Sequence, residues 1–461
     1  MDKKFIGKKV LILGLGLNEG GVGSARFFAK TGAKVRVTDI KTEKELQPSL
    51  EKLTEFSNIE YVLGEHRNED IDWADIIIRN PSLKPGNPYR EYAEKSGKKV
   101  ELDIGIFLDF VNPEQIIGIT GSKGKSTTAS LLYAALSSVI PAKAGICINK
   151  NGSPIRSGMT DYRNVILAGN IGKSVLDTLE VVDKDTLIIL ELSSFQLEAF
   201  EEHKVSPNMA VITNIFPEHL NYYSSFEDYI DAKRIIAKYQ TEKDYLFLNS
   251  EDQITNSKEF LDGLKGQIIK FSKILPEDFK PTLIGEHNKP NYAATLAVAT
   301  KIKVPEEQAL QAMNQFTGNE MRLQLIKKEN GIKIYNDSTA TNPNATIAAL
   351  RALNSCILIC GGMNKGLKYE ELADTIDRRA KAVYFIEGDA TEEIKRNIRH
   401  KNIYRSTYDD LELLLKDVKQ EAKEGDVILF SPGATSFNFW QNEFDRGRKF
   451  NEVVEKIFKT L

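Results

Sequence analysis

The chain has 461 residues, 41 % of them hydrophobic, and its 62 Lys and Arg side chains nearly balance 65 Asp and Glu for a formal charge of -3. Such a balance excludes the broad electrostatic pull that nucleic acid or an anionic bilayer exerts on a basic protein, so any anionic ligand must be held locally. The length exceeds what one ordinary core serves and predicts about three domains.

The opening segment MDKKFIGKKVLILG lacks the apolar stretch and cleavage site of a signal peptide, and no run of about 18 apolar residues follows anywhere. Three cysteines, Cys147, Cys356 and Cys360, form an odd set without a paired CxxC, which reads as buried small hydrophobes in a reducing compartment. Together these features predict a soluble cytoplasmic protein. KKVLILGLG is an apolar strand running into glycines, VGSARFFAKTGA a helix and KVRVTD a second strand, which make a βαβ start. Gly14, Gly16 and Asp39 invite a dinucleotide-binding reading, and hence an NAD-dependent oxidoreductase as an alternative. The third glycine of that fingerprint is displaced to Gly20 or Gly21, however, and a uridine diphosphate would use the same turn and helix N-terminus.

After Val111-Asn112-Pro113 the pattern restarts with the strand QIIGITG, the turn GSKGKS and the helix TTASLLYAALSSV. The turn, Gly121, Ser122, Lys123, Gly124, Lys125, Ser126 and Thr127, has what a triphosphate needs: small residues that let backbone N–H groups face the phosphates, a lysine to bridge them and a hydroxyl for magnesium. It departs from the common P-loop, in which a glycine occupies the place of Ile119. Two later strands end in polar groups, Glu191 in LIILELSSFQLE and Thr213, Asn214 and His219 in AVITNIFPEHLN, and the carboxyl ends of parallel strands are where such sheets gather ligands. Glu191 is a natural magnesium ligand, whereas a histidine is an unusual one. FSKILPEDFKPTLIGEHNKP reads as irregular. Beyond Met321-Arg322 a third restart places four strand-like runs, GIKIYNDS, SCILICGG, KAVYFIEG and DVILFSPG, between helices, predicting another parallel sheet.

The motifs GITGSKGKSTT, LAGNIG, LELSSFQLE, TNIFPEHLN, FEDYIDAKRII, GEHNKPNYAA, MRLQ, YNDSTATNP, GGMNKG and SPGATSFNFW, in this order over nearly the whole chain, resemble the Mur ligase family of peptidoglycan synthesis. The resemblance implies an α/β protein of three domains: residues 1–111, Rossmann-like, for a UDP-sugar; 112–319, a P-loop parallel sheet, for ATP; and 320–461, Rossmann-like, for the incoming amino acid. The LELSSFQLE run, the GLGL start and the length most resemble members that add D-glutamate to UDP-N-acetylmuramoyl-L-alanine. By that likeness Leu17, Asn18, Asp39, Ile40, Lys41, Asn170 and Ser193 would face the sugar nucleotide. ATP would meet the loop together with Asn288, Asn291, Arg322 and Asp337. Magnesium, one ion or two, would meet Ser126, Glu191, His219 and Lys233, the last as a carbamate formed with carbon dioxide. Lys365, Ser436 and Phe437 would receive the amino acid. The catalytic set would be Lys125, His219, Lys233 and Asp337, in a monomer with only small-molecule partners, the sugar nucleotide, glutamate and ATP. Thr339 stands where the family carries a cation, and Glu443 where a phenylalanine is expected, which leaves L-glutamate or another amino acid open.

Hydroxide is a poor leaving group, so a carboxylate condenses with an amine only after activation, here as an acyl phosphate made from ATP. Sites on separate domains imply closure before water is shut out, with a hinge expected near residues 318 to 322. X-ray scattering should record compaction once all substrates or a transition-state mimic are bound; an unchanged radius would remove the hinge.

Overall fold

A computed structural model describes residues 3–17, 19–140, 162–171, 174–219, 222–353, 355–436 and 439–459. Cys147 lies outside them. Three sheets form. The first contains β1 (Lys9–Leu13), β2 (Lys34–Asp39), β3 (Ile59–Leu63), β4 (Ile76–Arg79) and β5 (Lys99–Glu101), all parallel in the order β3-β2-β1-β4-β5. Alternate residues of β1 enter different cores: Val10 and Ile12 pack with Val35 and Val37, while Leu11 and Leu13 pack with Ile71 and Ala93. Burial on both faces explains the unbroken apolar runs in the sequence.

The second sheet contains β6 (Ile116–Thr120), β7 (Asn164–Gly169), β8 (Thr186–Glu191), β9 (Met209–Ile212), β10 (Tyr245–Asn249) and β11 (Gln267–Phe271), again all parallel, in the order β11-β10-β9-β6-β8-β7. Chain order reverses at β6, and a crevice opens at the carboxyl ends of strands where this happens. The first two sheets belong to one compact unit, Met1–Phe279 with Pro290–Met313, and share a core. Helix Asp103–Leu108, buried along its whole length, packs on helix Leu197–His203 in that core. Phe28, fully buried, meets Phe5 and Phe27 edge-on at ring separations of 5.0 and 5.1 Å. Phe28→Ala is expected to lower stability by about 3–5 kcal/mol, measured by denaturant unfolding, because the cavity adds to the lost transfer energy.

The second unit, Lys280–Lys289 with Asn314–Leu461, holds the third sheet: β12 (Gln324–Glu329), β13 (Ile332–Asn336), β14 (Cys356–Gly361), β15 (Ala380–Ile386), β16 (Tyr404–Tyr408) and β17 (Val427–Phe430). Its order is β12-β13-β17-β14-β15-β16. Four of these strands are the runs expected from sequence. The two edges are not: β16 is parallel, β12 is antiparallel to β13, and both have mostly half-exposed residues without an apolar run to announce them. Cys356 and Cys360 are free thiols buried beside Leu358 on one face of β14, where burial pushes the Cys356 thiol up to about 12. They are core residues. Among the described residues no helix is long and apolar enough to cross a membrane.

Candidate nucleotide-binding and ligation site

β6 delivers the glycine turn to the carboxyl edge of the second sheet, and helix Lys125–Ser137 leaves from it with Gly124 as N-cap. Two glycines are required here. Gly121 (φ +148°) would drive a Cβ into the Thr213 hydroxyl, and Gly124 (φ +87°) would drive one into the Asn291 amide. The loop is pinned from the segment after β9: Ser122 N donates to Asn214 O at 2.8 Å, Lys123 N to Asn214 Oδ1 at 2.9 Å, and Thr213 Oγ1 to Lys123 O at 2.6 Å. Ser122 Oγ also lies 3.0 Å from Phe216 O and 3.1 Å from the Tyr229 hydroxyl. These bonds fix a concave turn at a helix N-terminus, whose dipole and backbone N–H groups favour phosphate. Lys125 Nζ folds back to Gly121 O and Ser122 O at 2.8 and 3.0 Å. Ser126 is buried in the first helical turn beside Thr127, and Thr128 Oγ1 reaches Asn291 Oδ1 at 3.3 Å.

Glu191 ends β8 in register with Ile119 and Gly169, so its carboxylate stands one strand from the loop, and it is 1 % exposed. Asn170 donates its backbone N–H to Glu191 O at 2.9 Å and its amide to Glu191 Oε1 at 3.4 Å. Ser193 turns inward instead, bonding Gln196 Oε1 at 3.0 Å. Lys233 projects from helix Phe226–Lys238 into the base of the loop, donating to Gly121 O at 2.9 Å and Thr120 Oγ1 at 3.4 Å. It is 1 % exposed, and burial, reinforced by the neighbouring Lys125 charge, holds its amine well below the ordinary lysine range. His219 takes a left-handed backbone conformation (φ 56°), with its ring 5.1 Å from that of Phe195. Partial desolvation and the lysines around it keep the imidazole below its usual value despite Glu218. Glu218 itself pairs with Lys123.

At the first sheet, Asp39 is buried at the end of β2 and accepts from Gly16 N at 2.8 Å and Lys41 N at 2.9 Å. Its carboxylate therefore shapes the Gly14 to Gly16 turn. Ile40 beyond it is 67 % exposed, and Leu17 is half-buried beside the turn; Asn18 lies outside the described residues.

In the second unit Asp337, at the end of β13, accepts from Ser431 Oγ at 2.7 Å and Leu323 N at 2.9 Å. Burial pushes its carboxyl up to about 7, against the lowering by those bonds and by Arg322 and Arg446. The Met363 and Thr435 backbones pair at 3.0 and 3.2 Å, bringing the loops of Lys365, which is exposed, and Ser436, which is 1 % exposed, side by side. Ser436 Oγ has no hydrogen-bond partner among the described residues, and Phe437 lies outside them. Asn288 caps Ile284 O at 2.8 Å, and the Arg322 side chain is exposed. The Thr339 hydroxyl is taken by Met321 O at 2.8 Å. Sequence reasoning missed Arg446, fully buried in helix Glu443–Ile457 and bonded to Ser338 O at 2.7 Å and Ala434 O at 3.1 Å. An arginine in the polar first turn of an amphipathic helix carries no signal of burial.

A lysine-bearing glycine turn at the switch point of one sheet, in a chain that folds two further α/β sheets, fits a nucleotide-dependent enzyme of modular build. Residues 8–101, 119–274 and 321–433 match, in turn, Mur ligase MurD-like N-terminal domain, Mur ligase middle domain, and Mur ligase glutamate ligase domain. The chain belongs to the Mur ligase family and is an ATP-dependent ligase of peptidoglycan precursors. It is 34 % identical to the UDP-N-acetylmuramoylalanine–D-glutamate ligase of Roseiflexus sp. (strain RS-1), over 98 % of this chain and 99 % of that one. It is 35 % identical to the ligase of the same name from Borreliella afzelii (strain PKo), over 97 % of each. In fold it is similar to UDP-N-acetylmuramate-alanine ligase from Thermotoga maritima, with a TM-score of 0.62 at 18 % identity over 97 % of this chain and 99 % of that one. The MurF ligase of the same organism in complex with ADP gives a TM-score of 0.56 at 17 % identity over 99 % and 96 %. The oxidoreductase alternative gains nothing from these relatives.

Proposed function

We propose that the chain joins D-glutamate to UDP-N-acetylmuramoyl-L-alanine through an acyl phosphate, releasing ADP and phosphate in the cytoplasm. One observation carries the reading: a lysine-bearing glycine turn shares its sheet edge with a buried carboxylate and a buried lysine, in a chain about a third identical end to end to ligases named for that reaction. Residues 1–111, 112–319 and 320–461 would serve sugar nucleotide, ATP and amino acid in turn.

Gly121 to Thr127 would seat the triphosphate, with Lys125 leaving its carbonyl partners for the transferring phosphoryl group. Asn291 supports the loop, and Asn288 and Arg322 would contact the nucleotide on closure. The donor set suits magnesium: Ser126 and Glu191 offer oxygens, and burial of Lys233 disfavours its cation and so favours the amine form that adds carbon dioxide, which would supply two more oxygens, with His219 completing the set. Bound there, magnesium would offset the charge that builds when carboxylate meets phosphate. Asn170 and Ser193 would meet the substrate near that centre, and Leu17, Asn18, Asp39, Ile40 and Lys41 the uridine diphosphate end. Ser436, a buried hydroxyl without a partner among the described residues, would receive a carboxylate of glutamate, aided by Lys365 and Phe437.

The attacking amine must lose a proton. Asp337 and His219 are both suited to accept it, the first because its pKa of about 7 makes it a stronger base than an ordinary aspartate, the second because it is held neutral. A folded-state pKa of about 7, against about 3.9 unfolded, means the fold favours the protonated acid, so stability falls as pH rises from about 4 to about 7. Asp337→Asn should therefore gain in melting temperature relative to the unsubstituted protein as pH rises from about 4 to about 7, the window set by those two values. A constant gap would place Asp337 in an ordinary solvated state.

The direct test offers D- and L-amino acids with UDP-N-acetylmuramoyl-L-alanine and ATP and weighs the product. A gain of one glutamate residue with the D-enantiomer alone is expected. A gain with L-glutamate, which Thr339 and Glu443 would permit, replaces the specificity but keeps the chemistry; no product with any amine ends the reading.

A further inference from the structure

The second carboxylate of LELSSFQLE, Glu198, has no part in the scheme above, yet it joins the first two sheets at a chemically important place. Arg79, the last residue of β4, pairs with Glu198 Oε2, and Arg90 reaches the same oxygen at 3.2 Å. The other oxygen accepts from the Tyr222 hydroxyl at 2.8 Å. Both ends of this cluster lead to ligand loops. Next to Arg79, Asn80 packs its amide against Gly14 O at 3.4 Å, on the glycine turn of the first sheet. Tyr222 donates its backbone N–H to His219 O at 2.8 Å, and Tyr223 does so at 3.1 Å, which secures the left-handed conformation of His219. Phe195, from the same LELSSFQLE run, packs against both rings, tilted at 4.2 Å from that of Tyr222 and edge-on at 5.1 Å from that of His219.

A carboxylate placed here for stability alone would be a poor choice. The Arg79 side chain is 1 % exposed and its Nη1 has no hydrogen-bond partner among the described residues, so the guanidinium loses its hydration and leaves a donor unused, while Glu198 is mostly desolvated. Buried pairs of that kind are often no better than apolar packing.

We propose that Glu198 is a positioning residue that clamps the His219 loop to the glycine turn of the first sheet through Arg79 and Tyr222, so that a sugar nucleotide seated on that turn tightens the metal site. This rests on the assignment of the turn to the sugar nucleotide and of His219 to metal given above. Coupling of this kind is reciprocal: metal tightens sugar-nucleotide binding by the same factor.

The test uses the full chain and two variants, Tyr222→Phe, which deletes one hydroxyl, and Glu198→Gln, which keeps the shape and removes the charge. Manganese(II) affinity is read by electron paramagnetic resonance with a non-hydrolysable ATP analogue, with and without UDP-N-acetylmuramoyl-L-alanine. Melting temperature and steady-state constants are recorded beside it. The sugar nucleotide is expected to tighten manganese binding in the unsubstituted protein, and both variants to lose that response. Their manganese affinity and kcat should fall by about tenfold, as with other residues that orient a metal ligand, while the KM for ATP changes by less than about twofold. Folded variants that keep the manganese affinity and its response to sugar nucleotide would reduce the cluster to an interdomain tie and overturn the proposal. An unsubstituted protein that turns over no amino acid would sink the ligase specificity, while the manganese measurement would still decide the clamp.

Discussion

Lys125→Ala should abolish ligation, lowering kcat by about a hundred- to a thousand-fold or more, the range seen when one preorganised charge partner of a transition state is deleted. The fold should survive, because Lys125 Nζ donates to carbonyls of its own loop, Gly121 O and Ser122 O, and the loop is anchored independently by Thr213, Asn214 and Tyr229. Phosphate release dependent on glutamate and sugar nucleotide, followed beside a thermal melt, checks both halves. A variant that melts normally and turns over at the original rate would mean that the triphosphate is held elsewhere.

Lys233→Met carries the second large effect. A lysine only 1 % exposed, against Gly121 O and beside another lysine, has its amine held well below the ordinary lysine range, because burial disfavours the cation and the neighbouring charge adds to this. Neutral amines add carbon dioxide, and cations do not. Carbon-13-labelled bicarbonate should therefore give a carbamate carbonyl resonance in the original protein that Lys233→Met lacks, with kcat down by about a hundred-fold. Methionine fills most of the volume without charge, so its melting temperature should not fall; a collapse in stability would make Lys233 a structural hydrogen-bond donor to the loop. Unchanged turnover without the resonance would remove the carbamate from the chemistry.

The contrast between these two lysines shows what each level of description supplies. Lys125 was legible in the sequence: its place after Gly124, between an apolar strand and a helix, is a local pattern with a local cause, since only that order of elements puts a cation and backbone N–H groups on one anion. Lys233, read from residues alone, is an ordinary lysine on the face of a helix, and only the likeness of FEDYIDAKRII to a family singled it out. Its burial depends on helix Phe226–Lys238 lying across the base of a loop more than a hundred residues earlier, which no periodicity encodes. The edge strands of the third sheet escaped for a related reason: β12 and β16 are half-exposed, so neither shows the apolar run that marked their neighbours.

The sequence by itself determined the local grammar of this protein: three αβ restarts, apolar strands buried on both faces, glycines where the backbone turns left-handed, and carboxyl ends of strands stocked with Asp39, Glu191 and Asp337. Tertiary structure alone decided which of those groups lose water. It pushed the Lys233 amine well below the ordinary lysine range, raised Asp337 toward neutrality, hid Arg446 and drew Arg79, Glu198 and Tyr222 together. The physical reason is that protonation and pairing depend on solvent exclusion and on charges brought close in space, and both are set by contacts between segments far apart in the chain.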